Sequence, residues 1–178
     1  EKFLDLQPPF RESHFLKGFG HKDKMFHFSP VWKKQDKAFN KKFNLPDHYD
    51  LIEKSNRKFP FKLVTAPAHN FLNSSFTETE TSRKTERKPT IKIHPNDLEA
   101  LKCKNNDIVL IGNDRGELRI HIEEFNGVLQ GITIVEGIWP NEYFLDNLGI
   151  NTLVGSDSPE PAGGAVFHDV AIWIKKLN

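Results

Sequence analysis

Asp107-Ile108-Val109-Leu110-Ile111-Gly112-Asn113-Asp114-Arg115-Gly116-Glu117-Leu118-Arg119-Ile120-His121-Ile122-Glu123-Glu124 is the stretch that decides the fold class. Its second half alternates apolar Leu118, Ile120 and Ile122 with polar Arg119, His121 and Glu123. A period of two puts one set on an inner face and the other in water. The spacing predicts strands over 107–112 and 117–124, joined at Asn113-Asp114-Arg115-Gly116, where glycine is available for a positive φ. Outward from this hairpin the same grammar repeats. Thr90-Ile91-Lys92-Ile93 is a short alternating strand, and residues 95–102 open on Pro95 with acids in the first turn, a start signal for a helix of about two turns. Phe61-Lys62-Leu63-Val64-Thr65 is a strand ended by Pro67, and 131–135 and 170–174 are two more. Short strands, one small helix and long connections predict a mainly β chain closed into a compact barrel. Two connections, 66–89 and 138–164, exceed the usual loop length of about 12–15 residues and are the natural places for function.

Composition bounds the rest. The chain has 178 residues, 37% hydrophobic and 28% charged, which suits one domain with a true core plus an extension. No apolar run approaches the roughly 20 residues of a membrane-spanning helix. A single cysteine, Cys103, excludes an intrachain disulfide and a Cys-ligated zinc or iron–sulfur site; it reads as an inert residue at the helix end. Net charge is +1, with 18 basic and 11 acidic residues over 1–90 against 7 and 13 over 91–178. The basic half interleaves acids (Asp23, Asp36, Asp47, Asp50, Glu53), so it reads as a solvated surface and nucleic acid is not an expected partner. The sequence begins at Glu1 without an initiator Met or a signal peptide, which reads as a piece of a longer protein. A cytoplasmic setting is then only the default expectation.

Residues 1–58 differ from the rest. They are rich in Phe and Lys and show little periodicity beyond Lys24-Met25-Phe26-His27-Phe28, after Gly18-Phe19-Gly20. They are expected to form an irregular extension and linker before a barrel domain over 59–178. So many rings are costly to leave in water, at about 25 cal/mol per Å² of apolar surface. They call for a packing partner, either the barrel or protein outside this chain.

The polar groups of the long loops carry the chemistry. Thr65-Ala66-Pro67-Ala68-His69-Asn70-Phe71-Leu72-Asn73-Ser74-Ser75 gathers hydroxyl, imidazole and amide groups at a strand end, donors suited to a polar ring or a phosphate. The same residue types also satisfy themselves locally in turns. Asn151-Thr152-Leu153 and Gly163-Gly164-Ala165-Val166-Phe167-His168-Asp169 have a similar character. The histidines lack the spacing that places metal ligands on one face, and no nucleophile motif, GxGxxG or Walker phosphate loop is present.

Several motifs in order resemble one family. Phe59 to Thr65, His69-Asn70 and Asn73-Ser74-Ser75-Phe76 are similar to the opening of the C-terminal molybdopterin-guanine-dinucleotide-binding domain of prokaryotic molybdopterin oxidoreductases. Ile93-His94-Pro95-Asn96-Asp97 resembles that family's strand–Pro–Asp helix start. Asn113-Asp114-Arg115-Gly116-Glu117 resembles its Asn-x-Arg-Gly hairpin, Asn151-Thr152-Leu153 its Asn-x-Leu loop, and Phe167-His168-Asp169 its closing segment. Upstream, Gly18-Phe19-Gly20 to Phe26-His27-Phe28 resembles the segment preceding the domain in longer members. Gln130 stands where the family has Pro, and His168 where many members have Lys.

The resemblance implies a double-psi β-barrel of the aspartate-decarboxylase-like kind that packs over the other domains of a large oxidoreductase and helps bury the molybdopterin guanine dinucleotide. Carried over position by position, the cofactor-binding candidates are Thr65, Ala66, His69, Asn70, Ser74, Ser75, Asn151, Leu153, Phe167 and His168. The metal, molybdenum or tungsten, and any iron–sulfur cluster would be held by the rest of the enzyme, so this piece alone would carry no redox activity. A protein-interaction barrel without cofactor is the rival reading. A dinucleotide site needs the 65–75 and 151–169 loops on one face, whereas an interaction module does not.

Overall fold

The structure, a computed structural model, describes residues 6–28, 52–156 and 166–177. The chain divides into two compact units, Glu1–Tyr49 and Asp50–Asn178. In the first, a one-turn helix α1 (Phe10–Ser13) is followed by a turn in which Phe15 and Phe19 stack at 4.7 Å and Phe26 meets Phe28 edge-on at 4.8 Å. Residues 24–28, for all their alternation, form no strand.

The second unit is a closed six-stranded barrel built from β1 (Phe61–Ala66), β2 (Thr90–Ile93), β3 (Ile108–Gly112), β4 (Glu117–Glu124), β5 (Ile132–Glu136) and β6 (Val170–Lys176), in the cyclic order β1-β5-β2-β4-β3-β6. β1 pairs with β5 and β2 with β4 in parallel, and all other neighbours are antiparallel. Exchanging β1 with β4, β2 with β5 and β3 with β6 maps this pairing list onto itself. That internal twofold, with its two parallel seams, is the double-psi topology the motifs imply. It also fixes directions: β1, β3 and β5 run one way, and β2, β4 and β6 the other.

Period-two alternation fills the interior. Leu63, Ile91, Ile93, Val109, Ile111, Leu118, Ile120, Ile122, Val135 and Ile172 are all buried, while Arg119 stays exposed on the outer face of β4. Thr133 is the polar member of this set, and its hydroxyl donates to the Lys62 carbonyl at 3.1 Å, so its burial leaves no orphan.

Two readings of the sequence change and one gains a detail. The 66–89 connection contains a two-turn helix, α2 (Glu80–Glu86), with no buried residue. It is held from outside instead: Glu86 Oε1 accepts the Asn70 backbone N–H at 2.7 Å and its side-chain amide at 2.8 Å, and Arg83 Nη1 donates to the Tyr143 hydroxyl at 2.9 Å. Helix α3 (Pro95–Leu101) stands as expected, with His94 as an unforeseen cap whose Nδ1 accepts the Asn96 N–H at 3.1 Å. Gly116 does not adopt positive φ. It is glycine for space, because a Cβ there would sit 2.7 Å from Thr152 Cγ2.

The stretch before β1 belongs to the barrel. Glu53 accepts the buried Ala171 N–H at 2.9 Å and pairs with Arg115 at 2.5 Å, and Lys58 pairs with Asp114 at the hairpin tip. Cys103 is buried, its thiol pushed above the ordinary value by desolvation, and donates weakly to the Leu101 carbonyl.

Candidate functional site

The parallel seam between β1 and β5 builds the site. Ala66 stands beside Glu136 in register, and Gly137 N–H donates to the Ala66 carbonyl at 2.9 Å. The connections leaving both strands therefore emerge side by side at one end of the barrel. β6 enters antiparallel to β1, with Val170 beside Leu63, so Phe167 and His168 arrive at the same end. The Thr65 hydroxyl donates to the Phe167 carbonyl at 3.2 Å and lies 3.4 Å from His168 Nδ1, tying the exit of β1 to the entry of β6.

Between these three segments lies a cleft of about 280 Å³. Thr65, Asn73, Asn151 and His168 supply its polar groups, and Ile138, Ile150 and Phe167 its apolar walls. Gly137, at φ +83°, lines it, and a Cβ there would lie 3.1 Å from Ala68, 3.2 Å from Phe71 and 3.3 Å from Trp139. Trp139 is buried, meeting Phe71 edge-on at 4.7 Å and Tyr143 at 5.5 Å, and so anchors the connection after β5. Farther along, Asp146 accepts from Arg119 Nε and from the Arg119 backbone N–H, both at 2.7 Å. That hydrogen-bonded guanidinium holds the Asp146 carboxyl below its ordinary range.

Of the ten residues proposed from sequence, Thr65, Ala66, Asn151, Phe167 and His168 line this cleft. The other five do not. His69, Ser74 and Ser75 are exposed in the turns after β1, and Asn70 is committed to Glu86. The Leu153 side chain is fully buried in the core, and only its carbonyl faces polar partners, Asn113 Nδ2 and Arg115 Nε, each at 2.8 Å. Gly163, Gly164 and Ala165 lie outside the described residues. Asn73, Pro67 and Ala68, which belong to the polar run read from sequence, were not among the ten, and Gly137, Ile138 and Ile150 were not singled out. Gly137 comes two residues after the end of the predicted strand 131–135 and directly after the observed β5, the one signal that could have marked it. Thr65 and Asn73 of the first polar segment and Asn151, Phe167 and His168 of the second thus share one cleft.

Residues 61–171 match the family model of the molydopterin dinucleotide binding domain. The chain is 32% identical over 133 residues to the probable oxidoreductase YoaE of Bacillus subtilis (strain 168), an alignment covering 75% of this chain and 19% of that protein. It is 29% identical over 89 residues to the dimethyl sulfoxide reductase DmsA of Haemophilus influenzae, covering 48% of this chain and 11% of that one. The chain thus spans a fifth or less of the length of these relatives. The solved structure of acetylene hydratase from Pelobacter acetylenicus shares the fold, with a TM-score of 0.67 over 90% of this chain and 24% of that one, at 12% identity.

Proposed function

Because the chain belongs to the molydopterin dinucleotide binding domain family, we propose that it closes the cofactor site of a larger molybdopterin-dependent oxidoreductase, with its cleft taking part of a molybdopterin guanine dinucleotide. The observation that carries this reading is the convergence of the β1 exit, the β5 exit and the β6 entry on one cleft.

The donor set fits such a group. The amides of Asn73 and Asn151 offer both donors and acceptors, as the edge of a purine or pterin ring demands, and Thr65 adds a hydroxyl. Ile138, Ile150 and Phe167 offer flat apolar contact to ring faces. At about 280 Å³ the cleft lies at the lower limit of small-molecule sites, roughly 300–1,000 Å³, so it suits one end of a dinucleotide rather than the whole. The remainder would lie against the other domains of the parent enzyme. Exposed Ile138 and Phe167, which line the cleft, would pack there and keep water out, with exposed Leu72 and Phe76 in the connection after β1 offering further apolar surface.

When bound, the pterin-held metal, molybdenum or tungsten, supplies the redox chemistry that side chains lack. This chain's residues bind, orient and cover. No redox step is assigned to the chain alone, and any iron–sulfur cluster and the metal ligand are assigned to the remaining domains. A cytoplasmic location is the default assignment. The test is molybdenum, tungsten and guanine-nucleotide content of the parent enzyme as purified, beside the 178-residue chain alone. Cofactor in the parent and none in the chain supports a cover that completes a site built elsewhere. No cofactor in either removes the oxidoreductase reading and leaves an interaction barrel.

A further inference from the structure

We propose that the hairpin tip Asn113–Gly116 is a positioning element for the cleft, acting on Asn151 through the Leu153 carbonyl. The inference rests on the cofactor reading for its purpose, though its geometry stands apart from it. Residues 150–153 form a 3₁₀ turn, which carries Asn151 at the cleft and drives the Leu153 side chain into the core. A turn this short holds itself by few bonds, with Thr152 N–H to the Gly149 carbonyl at 3.0 Å and Val154 N–H to the Asn151 carbonyl at 3.1 Å at its two ends. Its orientation is set from outside. Both lone pairs of the Leu153 carbonyl are taken by the hairpin, one by Asn113 Nδ2 and one by Arg115 Nε, each at 2.8 Å.

Each hairpin residue suits that task. The Asn113 Oδ1 accepts the Arg115 N–H at 2.9 Å, and Asn113 N–H donates to the Gly116 carbonyl at 3.0 Å, so the tip is rigid before it meets the turn. Gly116 allows Thr152 to approach where a Cβ would collide. Arg115 reaches past Leu153 to the Glu53 carboxylate at 2.5 Å, and Glu53's other oxygen holds the start of β6 through Ala171. One guanidinium therefore couples the stretch before β1 to the turn that presents Asn151, with Nε and Nη2 used in different directions. Lysine has no such fork.

Asn113 and Arg115 do not line the cleft and are positioning residues, not contacts. Amide hydrogen exchange on the 178-residue chain is the direct test. In R115A the Thr152 and Val154 amides should exchange at least about tenfold faster while the β3–β4 ladder keeps its protection, and R115K should fall between R115A and the unaltered chain. R115K remains informative if R115A fails to fold. Unchanged exchange at both amides in R115K and N113A would overturn the inference.

The second readout is guanine-nucleotide content of the parent enzyme carrying R115K, N151A or both. If Arg115 acts through Asn151, the double variant loses no more nucleotide than N151A alone. A further loss of equal size on the N151A background would refute the route through Asn151. Faster exchange with undiminished nucleotide in all three variants would instead refute the cofactor reading of the cleft and leave the positioning geometry intact.

Discussion

Replacing Glu53 separates two roles that a single carboxylate performs. Ala171 is 3% exposed, and its N–H points away from β1 on the side where β3 has already ended, since the last β3–β6 pair is Gly112 with Trp173. The Glu53 carboxylate stands in for the missing strand. In E53A that buried N–H loses its acceptor, at a cost of about 1–3 kcal/mol. The Arg115 ion pair goes too, but its side chains are 34% and 38% exposed, so solvent screening limits it to about 0–1 kcal/mol. E53A should therefore lose about 1–4 kcal/mol. E53Q keeps a carbonyl oxygen for Ala171 and gives up the charge and the acceptor facing Arg115, an exposed pair worth little, so it should lose under about 1 kcal/mol. Urea unfolding with unchanged slope reads both, and a thermal midpoint should fall by about 3–5 °C per kcal/mol for a unit of this size. If E53Q is as damaging as E53A, the charge and not the acceptor is what matters, and the account of the β6 entry fails. If neither variant loses stability, residues 52–58 are an ornament on the barrel rather than part of it.

Gly137→Ala should cost about 2–4 kcal/mol, because φ +83° disfavours a side chain and the new Cβ would press to 3.1 Å from Ala68 and 3.2 Å from Phe71; a neutral thermal melt would refute that crowding. Asn70→Ala should lose about 1–2 kcal/mol by freeing the half-buried Glu86 lock, while His69→Ala, in an exposed turn, should leave the chemical denaturation midpoint unchanged. For Asp146 the folded carboxyl titrates below its unfolded value of about 3.9. Its stabilising share is thus full above that pH and lost as pH falls through the folded value. D146N should accordingly be less stable than the unaltered chain at neutral pH and converge with it in acid, and a constant difference from pH 7 to pH 2 would contradict this sign.

Much of the barrel is legible because alternation is a local property. Leu118, Ile120 and Ile122 reveal their face within one strand, and Pro95 announces α3. Helix α2 is invisible to the same reading, since Glu80-Thr81-Ser82-Arg83-Lys84-Thr85-Glu86 has no apolar stripe and is held by Asn70 and Tyr143, one of them distant in sequence. Within the site, Thr65, Ala66, Asn151, Phe167 and His168 were reached through motif order, whereas Ile138 and Ile150 join the cleft only through the β1–β5 register. Leu153 shows the limit most sharply. Its place in an Asn-x-Leu motif says that the residue matters, but only the fold shows that its side chain belongs to the core and its carbonyl to the hairpin.

The internal twofold raises a question that the loops answer. Two parallel seams exist, and their carboxyl ends lie at opposite ends of the barrel because β1 and β5 run against β2 and β4. At the β2–β4 end, Ile93 stands beside Glu124 and Phe125 N–H donates to the Ile93 carbonyl at 2.9 Å, much as Gly137 meets Ala66. There, however, the connection after β2 folds at once into α3, which sinks Leu98 into the core. The short link after β4 is drawn in where Asp97 accepts the Gly131 N–H at 2.7 Å. At the β1–β5 end both connections are long and polar, the one after β5 opens on Gly137, and residues of both line the cleft. The barrel is thus close to symmetric while the connections at its two seam ends are not, and the proposed site lies at the β1–β5 end.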